Sequence, residues 1–269
     1  MDLIQAIILG FIQGVTEWLP ISSTGHLRIV EKLLGLTLPL LFDVTLHVGT
    51  LIITLFFFRK DIKLVLVALM KGDFKSENGK LVPLIIVGMM PTALIGVVFS
   101  STIETVFSSF LPIAGAFITC GVVLYVSKAG MEHKESITYL AALAIGATQG
   151  VALIPGLSRS GLTIATALML GVRREKAFKF SFLLSIPAII GALGLTLYHQ
   201  YAMLTLVGVG VAEIFLAVAG SMVVSYFALK LLWRTLAGRK FYLFAFYCWL
   251  IGAVLLALSF SGFQPEGFA

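Results

Sequence analysis

Apolar runs of 17 to 26 residues recur from one end of the chain to the other, the length a helix needs to cross the hydrocarbon of a bilayer. Their pattern predicts spans over 42–58, 81–99 and 110–127 in the first half and over 178–197, 205–230 and 241–261 in the second. Pro91 and Pro187, each inside a span and followed by a nearby glycine, predict kinks. Two stretches depart from the plan. Residues 3–19 form a marginal helix carrying Gln5, Gln13, Thr16 and Glu17. Pro20 breaks it, because proline lacks the N–H donor and restricts the residue before it. The short helix that follows, over about 23–34, contains His26, Arg28, Glu31 and Lys32 and ends at Gly35. At about 1.5 Å per residue it cannot cross ~30 Å of hydrocarbon. A re-entrant hairpin that turns at 19–22 and leaves by the side it entered is the economical reading, tolerated where protein or a wet cavity surrounds it.

The departure occurs twice. At a constant offset of 136, Gln13, Gly14 and Val15 align with Gln149, Gly150 and Val151, Ser22 with Ser158, and Gly25 with Gly161. Helix 137–154 breaks at Pro155-Gly156, and a short helix follows over about 159–170. Each half, 1–130 and 131–269, thus holds one hairpin and three crossings. An odd number of crossings turns the second half upside down. The fold expected is an all-α polytopic membrane protein with an inverted-topology repeat, six transmembrane helices and two re-entrant helix-loop-helix hairpins, with its site where the broken helices meet.

Charge tests this topology. Segments 59–80, 128–136, 171–179 and 230–240, all placed on one side, carry 16 of the 19 Lys and Arg residues, whereas the opposite loops 36–41, 100–109 and 198–204 and the C-terminal tail carry none. The positive-inside rule puts the basic side in the cytoplasm, and hence both termini and the first hairpin on the outer face of a cell membrane. The net charge of +6 then reports topology, and no nucleic acid partner is expected. Only 12% of residues are charged, about half the usual share of a soluble domain, roughly 25%. Met1-Asp2-Leu3 lacks the basic flank of a signal peptide, so the first segment is expected to stay in the mature protein. Cys120 and Cys248 stand singly in apolar runs, without disulfide or zinc spacing, and read as small core side chains.

Hairpins entering from opposite faces bring their tips together. The first offers Glu17, Ser22, Ser23, Thr24 and His26, the second Ser158, Arg159 and Ser160. Each short helix starts after a proline-containing turn with a serine suited to the N-cap. Its first N–H groups have no intrahelical partner and its dipole is positive there. Two such termini and an arginine suit an anion, phosphate above all. Ser23 and His26, three apart, share a helix face and are placed to address one bound group as nucleophile and base or acid. Glu17 lies near a helix C-terminus, where the dipole disfavours its charge, so a partner such as Arg159, a metal or an acid–base role would explain it.

Plainer readings exist for each. Glu17 and Arg159 also make sense as a neutral pair between repeats, the serines as caps alone, Thr24 as packing, and His26 as an interfacial histidine. Asp43 and His47, four apart at the start of a span, would line the site or sit at the headgroup boundary. Glu213 stands alone inside an apolar span; His133 and His199 fall in loops; Lys71, Lys75 and Lys80 belong to a solvated loop that favours anionic lipid.

At these residues the chain resembles the undecaprenyl-pyrophosphate phosphatase family of the bacitracin-resistance type. The likeness rests on Glu17-Trp18-Leu19-Pro20-Ile21-Ser22-Ser23-Thr24-Gly25-His26, Pro155-Gly156-Leu157-Ser158-Arg159-Ser160-Gly161 and Phe42-Asp43, and covers nearly the whole chain. It implies an integral membrane enzyme that hydrolyses a polyprenyl diphosphate to the monophosphate, recycling the lipid carrier of cell-wall or surface glycans, on the two-hairpin fold just derived. By the family's motif positions Glu17, Ser23 and His26 would be catalytic and Arg159 would bind the diphosphate, with Ser22, Thr24, Ser158 and Ser160 around it and a divalent cation, magnesium or calcium, assisting. One departure stands out: some members carry glutamate where this chain has Gln13, giving two carboxylates four residues apart on one helical face that would hold a metal, and here only Glu17 of that pair remains. Asp43 is a candidate replacement, and His47 stands where those members tend to carry glutamine. The partners expected are the lipid substrate and the bilayer, and a homodimer is compatible with the sequence. The rival reading is a transporter or flippase of a polyprenyl phosphate lipid, which would need the positive site but neither nucleophile nor base.

Overall fold

The computed structural model describes residues 1–36, 38, 40–107, 109–200 and 209–261, and among them every regular element is helical. In chain order these are α1 (Leu3–Thr16), α2 (Ser23–Leu33), α3 (Leu40–Phe57), α4 (Arg59–Met70), α5 (Leu81–Val106), α6 (Phe110–Val126), α7 (Tyr139–Val151), α8 (Arg159–Met169), α9 (Arg174–Gln200), α10 (Val211–Ala237) and α11 (Phe244–Phe260). Caps and prolines set the ends that matter. Asp2 and Gln5 close a reciprocal capping box on α1. That helix stops at Thr16, earlier than expected, and residues 17–21 run in turns ahead of Pro20. The second break behaves alike: α7 ends at Val151, and Gly156 takes a positive φ of 99° in the turn before α8.

Five helices, Leu81–Phe99, Phe110–Ala129, Arg174–Tyr198, Val211–Ala237 and Phe241–Phe260, are long and apolar enough to cross a membrane. The sixth expected span, in α3, is apolar but shorter, over Phe42–Phe57. Leu94, Val97, Phe227 and Leu250 point outward from these helices, side chains that hydrocarbon rather than water would accept. This is a multi-pass membrane protein. Several expectations shift. The basic segment 59–80 begins with α4, and Lys71, Lys75 and Lys80 follow in the connection to α5 as expected; α5 and α9 run longer than their spans, with Pro91 and Pro187 inside them. His199 falls within α9, not in a loop. Glu213 sits in the first turn of α10, where a carboxylate complements the helix dipole, not deep in a span. Residues 37, 39, 108, 201–208 and 262–269, where parts of the uncharged loops, the start of the 205–230 span and the tail were expected, lie outside the described residues.

Because lipid tails are as apolar as leucine, helices in a bilayer associate through close packing of small residues. Helix α1 packs along α10 and α7 along α5, each through a Gly-x-x-x-Gly pair, Gly10 with Gly14 and Gly146 with Gly150. A Cβ at Gly10 would lie 2.2 Å from the carbonyl oxygen of Ala217, and one at Gly146 would lie 1.8 Å from that of Gly88. Gly146→Leu is therefore expected to lose about 1–3 kcal/mol or more through overpacking, seen as a lower thermal midpoint in detergent. Gly191→Leu, where a Cβ meets nothing within 4 Å, should leave the midpoint unchanged or raised. The basic segments meet at one end of the molecule: Lys176 pairs with Glu77, Lys179 with Asp61, Arg173 with Glu135, and Arg174 and Arg239 with Glu132. Elsewhere Trp18 packs on Phe182, which stacks on Phe58, forming an aromatic floor beneath the first broken helix.

Candidate functional site

The broken backbone at 17–22 leaves carbonyls that no helix satisfies, and buried polar groups left unpaired are costly. The second break supplies the partners. Ser160 Oγ donates to the carbonyl of Trp18 at 2.9 Å, and Ser158 Oγ to that of Leu19 at 3.4 Å. Cys248 Sγ lies 3.5 Å from the carbonyl of Pro20. In return Ser22 Oγ accepts the N–H of Gly156 at 3.0 Å and that of Gly25 at 3.3 Å. Ser22 holds a positive φ of 68°, a strained conformation for a residue with a side chain, and it is this bend that turns its hydroxyl to both N–H groups. The two tips thus meet, as expected. Ser22 caps α2 and Ser158 caps α8, and all three serines are spent on joining the tips. Thr24 lies half-buried on the first turn of α2. The first N–H groups of α2 and α8, at Ser23, Thr24, Arg159 and Ser160, have no carbonyl one turn back and form the positive ends of two helix dipoles at this junction.

Glu17 is the centre of the polar cluster, with its side chain 4% exposed. Arg159, reaching across from α8, pairs with Oε1 and lies over the ring of Trp18, 5.0 Å from its centroid. Oε2 receives Ser23 Oγ at 2.7 Å and Gln13 Nε2 at 3.2 Å, and His47 Nε2 lies 3.4 Å away. The ring of His47 is aimed by its other nitrogen, which contacts the carbonyl of Asp43 at 2.7 Å. A hydroxyl held this closely by a carboxylate is set up to lose its proton as it attacks an electrophile.

Other expected members stand elsewhere. His26 does not share a partner with Ser23: its Nδ1 contacts the carbonyl of Ser22 at 2.7 Å and its Nε2 contacts Tyr247 Oη at 2.8 Å. The His26 ring stacks on Tyr247 and meets the edge of Phe117. The Asp43 carboxylate makes no contact with Glu17 that rivals those of Arg159, Ser23, Gln13 and His47: it faces Glu31, and its buried Oδ1 has no hydrogen-bond partner. Tyr247 was not foreseen, since a tyrosine in an apolar span carries no distinguishing pattern. Nor was the pairing of His47 with Glu17, which the sequence places 30 residues apart. From His26 and Tyr247 a groove of about 620 Å³, walled by Phe11, Val15, Ile21, Leu231 and Phe244, runs along α1, α10 and α11.

The donor set around Glu17 does not fit a divalent cation. Magnesium and calcium take several oxygen ligands, but both oxygens of this carboxylate already face donors, one of them a guanidinium. Among the described residues no three His, Cys, Asp or Glu side chains are grouped to hold a metal. The unpartnered oxygen beside Glu17, Oε1 of Gln13, is a neutral amide oxygen. It and Glu17 could chelate one ion only if the amide turned over and its hydrogen bond broke.

Comparison with known proteins points the same way as the motifs. Undecaprenyl-diphosphatase of Carboxydothermus hydrogenoformans is 41% identical over 269 residues, covering 97% of this chain and 99% of that protein. The protein of the same name from Desulfosudis oleivorans is 42% identical over 95% of this chain and 98% of its own length. That of Methanosphaera stadtmanae is 40% identical over 96% and 99%. The profile of the bacitracin resistance protein BacA family matches residues 6–254, nearly the whole chain. On that match and these relatives, the chain belongs to the BacA family of bacitracin resistance proteins.

Proposed function

We propose that this protein is a membrane phosphohydrolase, converting an undecaprenyl-type polyprenyl diphosphate to the monophosphate and inorganic phosphate and so recycling the lipid carrier of cell-envelope glycan synthesis. One observation carries the reading: Ser23 Oγ donates to Glu17 Oε2 at 2.7 Å while Arg159, from the other tip, holds the same carboxylate. A carrier of lipid phosphate needs the arginine but has no use for a hydroxyl held by a base.

In this account the diphosphate lies at the N-termini of α2 and α8, and Arg159 moves from Glu17 onto its oxygens, stabilising charge on the transferring phosphoryl group. Ser23 Oγ attacks the terminal phosphorus as its proton passes to Glu17. The bridging P–O bond breaks and the lipid monophosphate leaves. Water then attacks the phosphoserine and gives up a proton, while Glu17 returns its own proton to Ser23 Oγ, so that phosphate leaves and the carboxylate is restored. His26 takes that proton from the water once its Nε2 leaves Tyr247 Oη beside the groove. The prenyl chain occupies the groove.

The architecture is read as two inverted repeats, 1–130 and 131–269, each with a re-entrant hairpin. Its support is reciprocal packing, in which α1 lies on α10 of the other half and α7 on α5. The ion-paired end, which gathers the basic segments, faces the cytoplasm, and the first hairpin opens to the outer face of the plasma membrane. The test is a phosphate assay on purified protein: equal amounts of phosphate and undecaprenyl monophosphate are expected, and no release under any condition would contradict the reading.

A further inference from the structure

The crowding of Glu17 by donors has a consequence for cation dependence, given the phosphatase reading above. We infer that in this chain Glu17 is held by His47 and Gln13, in the place a divalent cation would take, and that hydrolysis needs no metal bound to Glu17. Four protein groups cover the carboxylate: Arg159 on Oε1, and Ser23, Gln13 and His47 around Oε2. An ion of charge +2 entering there would meet the guanidinium and would have to displace the Ser23 hydrogen bond, the one the reaction uses. Two positions work together. Glutamine at 13 removes the second carboxylate a cation would require and replaces it with an N–H donor 3.2 Å from Oε2. Histidine at 47 brings a ring nitrogen 3.4 Å from the same atom, and its other nitrogen is fixed on the carbonyl of Asp43, so the ring cannot swing away freely. Asp43, one turn back on that helix, gives its backbone carbonyl to His47, while its carboxylate faces Glu31 and keeps a buried Oδ1 without a hydrogen-bond partner. His47 and Gln13 are thus positioning residues, acting through Glu17 and not on the substrate.

Reversing the two positions should reverse the dependence. In Gln13→Glu/His47→Gln, two carboxylates four residues apart, one in the last turn of α1 and one at its C-cap, face a neutral amide, an oxygen-rich arrangement suited to magnesium or calcium. Phosphate release from undecaprenyl diphosphate would be measured on full-length protein stripped with chelator, with and without added magnesium or calcium. Calcium binding would be measured in parallel by calorimetry without substrate. The wild-type rate should stay within about threefold in chelator, and the protein should show no saturable calcium binding. The double variant should lose at least tenfold in chelator, recover with either metal, and bind calcium. His47→Gln alone should lose at least tenfold whether or not metal is present. A wild-type rate that falls tenfold in chelator and returns with metal overturns the inference. So does saturable calcium binding by wild type that Glu17→Gln abolishes, a result independent of activity. Absence of phosphate release from wild type in every condition would instead contradict the phosphatase reading, leaving the calorimetry to decide this one.

Discussion

Arg159→Ala is expected to reduce phosphate release from undecaprenyl diphosphate by roughly a thousandfold or more, the range over which arginines that stabilise phosphoryl transfer act. The side chain is the one cation delivered by the second tip to the first, and it lies between Trp18 and Glu17. Its loss also takes from buried Glu17 one of its two charge partners, at a cost of about 3–5 kcal/mol. Stability and activity must therefore be read together. Arg159→Lys separates them: it keeps the charge but loses the planar fork that grips two phosphate oxygens. That variant should fold with a near-normal thermal midpoint and still lose activity by at least tenfold. Thermal unfolding in detergent beside a phosphate assay checks both statements. A fully active Arg159→Lys protein would show that the arginine does no more than neutralise Glu17.

Glu17→Gln should lower the rate by roughly a hundred- to ten-thousandfold, the usual contribution of a positioned general base. Glutamine keeps the shape but cannot take the proton of Ser23, which donates to this carboxylate at 2.7 Å. If the two residues act as a unit, Ser23→Ala and the Glu17→Gln/Ser23→Ala double variant should both fall to about the same residual rate, since effects within one catalytic unit are not additive. Losses that multiply in the double variant would mean that Glu17 and Ser23 serve separate steps.

Much of this was legible in the sequence because bilayers constrain chains severely. Proline alone does not end a spanning helix, as Pro91 and Pro187 show, but Pro20 and Pro155 fall beside polar residues between helices too short to cross, and so announced both breaks. The distribution of lysine and arginine anticipated which segments gather, and the ion pairs linking Asp61, Glu77, Glu132 and Glu135 to 171–179 and 230–240 join those segments at one end. Contacts made by ordinary residues across long sequence separations were not legible. Tyr247 meets His26 from 221 residues away, and nothing in its own neighbourhood marks it. Spacing alone put Ser23 and His26 on one helical face, but a face of a short helix is wide enough for the serine to turn to Glu17 and the histidine to Tyr247. Helix α4 was not anticipated, because the charge of segment 59–80 speaks only to sidedness, and a helix can run along an interface with Arg59, Lys60 and Lys63 outward. The serines at 158 and 160 looked like anion ligands, whereas satisfying the carbonyls of Trp18 and Leu19 is the more urgent demand on a hydroxyl inside a membrane.

Broken helices and reciprocally packed halves are also found in many transporters, so the reaction rests on the chemistry where the two breaks meet and not on the fold. The most direct measurement uses vesicles containing the purified protein and undecaprenyl diphosphate labelled in its terminal phosphate. The account predicts that the label leaves the lipid as free phosphate, matched by undecaprenyl monophosphate, and that Ser23→Ala stops this. Intact labelled diphosphate crossing to the opposite leaflet, with no phosphate released, would contradict it.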